Sequence, residues 1–330
     1  MSDDSVQQQI YGPVEKDLDK VVEELLSQSD RIPENTTGIE DRLKHVLSTP
    51  GKRIRPAITL LVAGLWGKTT TDTVVKMATA IELLHIATLV HDDTVDKADT
   101  RRGHATASNL WGRNIAVLLG DHIFATSAVY VCETGNIRLI KRFAQTISEL
   151  ACGELDEILA AWKTDIDRKS YNERIYNKTA TLFCTAALGG ALLADGDEES
   201  IIHLNNYGYN LGMAYQIYDD ILDYVSTPDR LGKPSGNDIS EGTITLPAII
   251  AYENDGATII ERFFEADEKQ REQLLAEVIH MVKKTGAIKT AQGIADDYIK
   301  KAHENLEPMP KSKNRESLDL LADYVAKRSY

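Results

Sequence analysis

Cysteine is sparse in this chain: Cys132, Cys152 and Cys184 are the only three in 330 residues. None belongs to a C-x-x-C pair or stands in metal-ligand register with a histidine. Neither a disulfide framework nor a zinc site is expected, and the thiols read as reduced and mostly buried. Glycine and proline are few, at 21 and 9, which disfavours a loop-rich fold and leaves room for long helices. Basic residues are outnumbered, 37 Lys+Arg against 51 Asp+Glu, for a formal net charge of −14. Such an excess argues against nucleic acid or an anionic membrane surface as the main partner. No uninterrupted apolar run reaches the ~18 residues of a membrane-spanning helix. The first residues, Met1-Ser2-Asp3-Asp4, have neither the basic nor the apolar region of a secretory signal, so the expected location is cytoplasmic. No serine, cysteine or histidine motif for nucleophilic catalysis stands out.

What is present is helical periodicity, nearly from end to end. Val14, Leu18, Val21, Val22, Leu25 and Leu26 form one amphipathic stripe. Similar patterns cover 38–48, 56–66, 71–97, 107–133, 138–162, 171–194, 198–225, 245–252, 257–263, 268–285, 287–305 and 315–328. Between them lie short breaks with turn chemistry, such as Thr49-Pro50-Gly51, Gly135-Asn136 and Asp195-Gly196-Asp197. One longer gap, 226–246, is rich in Gly, Pro, Ser and Asp. No hairpin with β alternation and no interdomain linker is evident. The expectation is one all-α domain, a large helical bundle. Ala78–Val90 and Ile115–Val131 are apolar around most of their circumference and are expected in its middle.

Two acidic clusters interrupt this apolar logic in the same way. Asp92-Asp93-Thr94-Val95-Asp96 ends one apolar helix, and Asp219-Asp220-Ile221-Leu222-Asp223 ends another. Residues i and i+4 share a helix face, so Asp92 aligns with Asp96 and Asp219 with Asp223. His85 and Gln216 extend the same two faces backward. Carboxylates this close repel one another unless cations lie between them. Aligned acids without thiolate or imidazole suit a hard, oxygen-seeking ion, Mg²⁺ rather than Zn²⁺, which completes its shell with water and substrate phosphates. A solvated acidic helix end is the plain alternative for one cluster; two copies of the same spacing favour metal. Basic residues of the kind a phosphate partner needs occur nearby: Lys52-Arg53-Ile54-Arg55-Pro56, with Pro56 expected at the first helical position, Arg101-Arg102, Lys178 and Lys233.

Taken in order, GKRIRP at 51–56, ELLHIATLVHDDTVDKADTRRG at 82–103, GD at 120–121, YNKTA at 176–180, YQIYDDILDY at 215–224 and LGKPSGND at 231–238 resemble a trans-isoprenyl diphosphate synthase of the polyprenyl synthetase family. The resemblance implies an all-α fold around a deep cavity, a homodimer, and two aspartate rows facing each other across the cavity mouth. It implies that Asp92, Asp96, Asp219 and Asp223 bind about three Mg²⁺ ions, with Asp93 and Asp220 in support. Arg101, Lys178 and Lys233 would hold the allylic diphosphate, and Lys52, Arg55, His85 and Arg102 isopentenyl diphosphate. Thr179 and Gln216 would flank the reacting carbons. The family commonly reads EGK ahead of TLP, whereas here Thr243 stands at the lysine position, so one positive charge of the clamp is missing.

The reaction so implied lengthens an allylic diphosphate by isopentenyl diphosphate. Small residues at Ala87 and Thr88, one turn before the first row, would let a growing chain pass, so products beyond farnesyl and geranylgeranyl length are expected. Tyr130 is the next candidate for the floor. Two other readings stand beside this one. A class I terpene cyclase would carry an N-D-x-x-S-x-x-x-E second motif, where this chain has DDILDYVST. A non-catalytic subunit of a heteromeric synthase would be expected to lose an aspartate row, and both are intact.

Overall fold

A computed structural model of the chain describes residues 3–32, 38–101, 103–164, 167–225 and 235–327. Among these residues the chain is helical almost throughout, as the periodicity requires. The helices are α1 (Asp3–Tyr11), α2 (Glu15–Asp30), α3 (Ile39–Leu47), α4 (Ile54–Ala63), α5 (Asp72–Val95), α6 (Ala107–Trp111), α7 (Arg113–Glu133), α8 (Ile137–Ala160) and α9 (Arg168–Ile175). A π turn, Tyr176–Ala180, leads into α10 (Thr181–Leu193) and α11 (Glu198–Val225). There follow α12 (Asn237–Ser240), α13 (Leu246–Ala251), α14 (Ala257–Glu265), α15 (Glu268–Lys284), α16 (Ala287–Leu306) and α17 (Lys313–Lys327).

Local chemistry explains many of the boundaries. Asp267 and Gln270 form a reciprocal capping box at the start of α15, and Asp167 and Thr106 cap α9 and α6. Helix α4 begins at Ile54, two residues ahead of the expected Pro56, because Arg53 takes a left-handed backbone (φ 50°) at the cap. Pro56 then sits third in the helix, where the carbonyl its ring would crowd lies outside the helix. The expected single helix over 107–133 divides at Gly112 (φ 83°). A hairpin that no alternation announced pairs β1 (Thr100–Arg101) with β2 (His104–Ala105) around Gly103 (φ 79°). Its strands are two residues long, too short to show a period of two.

Contacts divide the helices into two compact units. The first comprises Met1–Ala144, Thr185–Leu204 and Met309–Leu318; the second comprises Gln145–Cys184, Asn205–Pro308 and Asp319–Tyr330. In the first unit α5 packs against α4 and α7, and Met77, Ala78, Ala80, Ile81, Leu83, Leu84 and Ala87 are inaccessible to solvent. Each large apolar side chain buried in this way contributes about 1.5–3 kcal/mol. The central position expected for Ala78–Val90 is therefore observed.

The expectation for Ile115–Val131 is not met. Helix α7 buries Ala116, Leu119, Ile123 and Tyr130 but leaves Leu118 67% and Val129 53% exposed. Apolarity on every face shows that a helix needs covering on every face; it does not show that the same chain supplies the cover. Helices α5 and α7 both have the length and composition of a membrane span, and α5 is mostly buried within the protein. Cysteine burial also differs from expectation: Cys184 is buried, whereas Cys132 and Cys152 are exposed on α7 and α8. In the second unit, α13 is buried along its whole length against α16 and α15, beside a core of Phe183, Tyr207, Leu211, Ile217, Phe263 and Val278.

Candidate functional site

The first acidic row lies on the last turn of α5. Asp92 is half-buried, Asp93 buried and Asp96 exposed at the C-cap. The helix stops here because Lys97 adopts a left-handed backbone (φ 53°). Asp96 N–H then donates to Asp92 O at 2.8 Å and Ala98 N–H to Asp93 O at 3.0 Å, closing the helix end. Three carboxylates at the negative end of a helix dipole are each unfavourable by about 0.3–1 kcal/mol, which nearby cations offset. Arg101, delivered by the hairpin, donates from Nε to Asp93 Oδ1 at 2.7 Å. The arginine expected on an allylic diphosphate is thus engaged with the middle acid of the row.

Of the basic residues expected at the diphosphates, Arg55 meets His85 within the same unit. Arg55 Nη1 donates to His85 Nε2 at 3.2 Å, and the Lys52 carbonyl accepts from Tyr11 Oη at 2.6 Å. Ala87 is inaccessible, and Thr88 is half-buried with its hydroxyl donating to His85 O at 2.8 Å. The Gly120-Asp121 pair gains a physical reason. A Cβ at Gly120 would collide with the His91 ring, so the glycine lets α7 close on α5 directly before Asp92. His91 Nε2 lies 3.2 Å from Val117 O and 3.4 Å from Asp121 Oδ1. Tyr130 is tied to α2: its hydroxyl donates to Glu24 at 2.6 Å and accepts from Gln28 at 2.6 Å. Burial and Glu24 push that phenol up to about 12.

In the second unit the acidic row continues one face of α11. Gly208, Gly212, Gln216 and Asp220 recur every four residues. A Cβ on Gly208 would lie 2.6 Å from Phe183 O, and one on Gly212 2.6 Å from Ala180 Cα, so both glycines let α11 approach the backbone of 180–184. One turn further on, Thr179 Oγ1 donates to Gln216 Oε1 at 2.6 Å. Gln216 Nε2 in turn donates to Asp220 Oδ1 at 2.9 Å, and Tyr171 Oη to Asp220 Oδ2 at 2.6 Å. Burial raises the Asp220 carboxyl to about 7, against the opposing pull of those hydrogen bonds and of Arg174.

Lys178 and Thr179 both belong to the π turn Tyr176–Ala180, a local widening that often accompanies functional positions. Lys178 Nζ lies 2.6 Å from Glu157 and 3.3 Å from Glu154, both on α8. Gly153 makes that approach possible, since a Cβ there would lie 2.6 Å from Lys178 N. Asp219 is half-buried. Asp223 accepts from the N–H groups of Asn237 (3.1 Å) and Asp238 (3.2 Å), capping α12. A carboxylate offers about four lone-pair positions, so capping leaves capacity for a cation. Both rows present carboxylate oxygen with no thiolate among them, which fits a hard divalent ion.

Several residues about the second row carried no motif of their own. Tyr171 is inaccessible, and burial followed by Asp220 raises its phenol well above the ordinary range. Buried Arg174 donates to Ile244 O at 2.6 Å and stands 5.9 Å from the Tyr171 ring centroid. Asp238 is pushed well up by burial and by Asp223, Asp220 and Glu157, with Lys178 opposing. Its carbonyl accepts from Thr243 N–H at 2.9 Å. Asp238 was readable as the last letter of LGKPSGND; the others are ordinary helical residues. Arg102 and Lys233 lie outside the described residues.

A family model described as Polyprenyl synthetase matches residues 36–282. Over 324 residues the chain is 36% identical to heptaprenyl diphosphate synthase component 2 of Geobacillus stearothermophilus, covering 97% of this chain and 98% of that protein. Among solved structures, a decaprenyl diphosphate synthase from Rhodobacter capsulatus matches with a TM-score of 0.89 at 31% identity, over 98% of this chain and 99% of that one. A polyprenyl synthase from Caulobacter crescentus CB15, complexed with calcium and isoprenyl diphosphate, matches with a TM-score of 0.88 at 33% identity, over 98% of both chains.

Proposed function

The chain belongs to the polyprenyl synthetase family, and from that premise we propose how its residues divide the work. The protein is a prenyltransferase: it joins isopentenyl diphosphate head-to-tail to an allylic diphosphate and makes a longer trans-polyprenyl diphosphate. The observation that carries the assignment of roles is the pair of acidic rows, each ending a long apolar helix and each fastened by cationic or amide donors. Asp92 and Asp96 from one row, and Asp219 and Asp223 from the other, would hold Mg²⁺. Bound there, Mg²⁺ supplies the positive charge that stabilises a departing diphosphate.

The chain's own residues do the rest. Asp93 orients Arg101, and Glu154 and Glu157 orient Lys178, so each cation is preorganised for the allylic diphosphate, with Lys233 as a further contact. Lys52, Arg55, His85 and Arg102 bind isopentenyl diphosphate. Thr179 and Gln216, locked to each other and to Asp220, present oriented dipoles to the cationic allyl group without acting as nucleophiles. Apolar side chains of the surrounding helices would keep that cation from water. One polyprenyl synthetase domain accounts for the whole chain in this reading. Small Ala87 and Thr88 support products beyond geranylgeranyl length, as do relatives named for heptaprenyl and decaprenyl synthesis. The exposed apolar face of α7 supports a homodimer.

Incubation of the purified protein with Mg²⁺, labelled isopentenyl diphosphate and a series of allylic primers tests the reading by chromatography of the products. Elongation beyond the geranylgeranyl length, abolished by a chelator and restored by Mg²⁺, is the expected result. The name "component 2" of the Geobacillus relative favours a second reading, a subunit that works only with a different partner chain. Absence of elongation with every primer would decide for it.

A further inference from the structure

Trp162 follows the last turn of α8 and takes a left-handed backbone (φ 64°), which a bulky aromatic adopts only where its surroundings hold it. Its N–H donates to Gly242 O at 2.9 Å. Gly242 has φ 87°, and a Cβ there would lie 2.5 Å from the indole ring, so the ring rests directly on the backbone of the Glu241-Gly242-Thr243 turn. The indole is itself immobilised. The Arg271 guanidinium stands 3.5 Å from its centroid, and Phe263 and Phe264 lie at centroid separations of 6.4 and 5.6 Å.

The turn beneath the ring is the far end of α12. Gly242 N–H donates to Ile239 O at 3.1 Å and Thr243 N–H to Asp238 O at 2.9 Å. At the near end, the Asp223 carboxylate caps Asn237 and Asp238. A four-residue helix has almost no stability of its own and keeps its place only through such outside contacts. It is therefore pinned at its start by the second acidic row and at its finish by Trp162. The helix that delivers Trp162, α8, also carries Glu157, the partner of Lys178. Thr243 brings no charge to the turn, which is held by the indole, by the Trp162 backbone N–H and, one residue on, by Arg174 at the Ile244 carbonyl.

We infer that Trp162 is a positioning residue for the transfer reaction: its indole latches the 241–243 turn and, through α12, sets Asp238 and Thr243 relative to Asp223. The inference rests on the prenyltransferase reading. Its role is distinct from that of Lys178 or Gln216, because Trp162 acts on the substrate only through the segment it holds. Losing the latch should weaken binding of the allylic diphosphate, assigned in part to Lys178 of the same unit as Trp162, and spare isopentenyl diphosphate, none of whose assigned residues touches the latched segment in the contacts described.

The test compares wild type, Trp162→Asn and Trp162→Phe by steady-state kinetics with Mg²⁺, isopentenyl diphosphate and geranyl diphosphate, and by amide hydrogen exchange. Asparagine tolerates the left-handed backbone but has no ring. Trp162→Asn should raise the KM for geranyl diphosphate about tenfold while leaving that for isopentenyl diphosphate within about twofold. Amides of 237–243 should exchange about tenfold faster, with those of α16 unchanged. Trp162→Phe, which keeps an aromatic ring, should show little of either effect. Loop exchange equal to wild type in Trp162→Asn, or equal rises in the two KM values, would overturn the inference. Should Trp162→Asn not fold, Gly242→Ala lifts the ring off the turn and gives the same two readouts. A wild type that elongates nothing counts against the prenyltransferase reading, while the exchange measurement still decides the latch.

Discussion

Arg174 carries no motif signature, yet it is 6% exposed and joins three elements of the site. Its guanidinium binds the Ile244 carbonyl beside Thr243, faces the Tyr171 ring, and opposes the burial that raises Asp220. Arg174→Met would leave a buried carbonyl unpaired and Asp220 without its cation, and should lower stability by about 3 kcal/mol in urea unfolding. At the same scale, Thr88 is half-buried whereas Ala87 is inaccessible, so Thr88 has room for a larger side chain. Thr88→Tyr should shorten the product to farnesyl or geranylgeranyl length, read by chromatography, with little loss of stability. Ala87→Phe should shorten it too, with about 1–3 kcal/mol lost to overpacking. The charged residues of this site could be picked from the chain because their types and spacings are rare together. Their holders could not. Glu154, Glu157, Tyr171 and Trp162 are residues any surface or core helix contains, and only tertiary packing brings them to Lys178, Asp220 and Gly242.

Among elements, α11 shows how a helix face becomes a ruler. Gly208 and Gly212 set its distance from 180–184, and Gln216 and Asp220 continue the same row into the site. Gly212→Ala pushes a Cβ into Ala180 backbone, which cannot rotate away, and should cost about 1–3 kcal/mol together with the Thr179–Gln216 bond. Gly293→Ala on α16 meets nothing within 4 Å and should instead stabilise by about 0.5–1 kcal/mol. Thermal unfolding of the two variants should therefore shift in opposite directions. Most helix spans were readable from periodicity to within a few residues. The exceptions have identifiable causes. A π turn adds a single residue to a long helix and leaves the apolar pattern nearly unchanged, so Tyr176–Ala180 was invisible inside 171–194. The pattern over 107–133 runs across Gly112 without a visible break, and α1 is too polar to show a stripe.

Over the whole molecule, the all-α class followed from composition and period, but the grouping of helices did not. Each compact unit draws on three separate stretches of chain, an arrangement no local pattern encodes. The same holds for α7, whose pattern promised full burial and whose structure leaves Leu118 and Val129 in solvent. On the homodimer proposed above, Leu118→Glu should leave a monomer in sedimentation while keeping the isolated fold intact. The exposed face has a further consequence, in temperature and mass action. Association through apolar surface weakens on cooling and on dilution alike. Specific activity should therefore fall when the protein is both cold and dilute, and return on warming or concentration. An enzyme whose two units needed nothing beyond their own chain would show neither response.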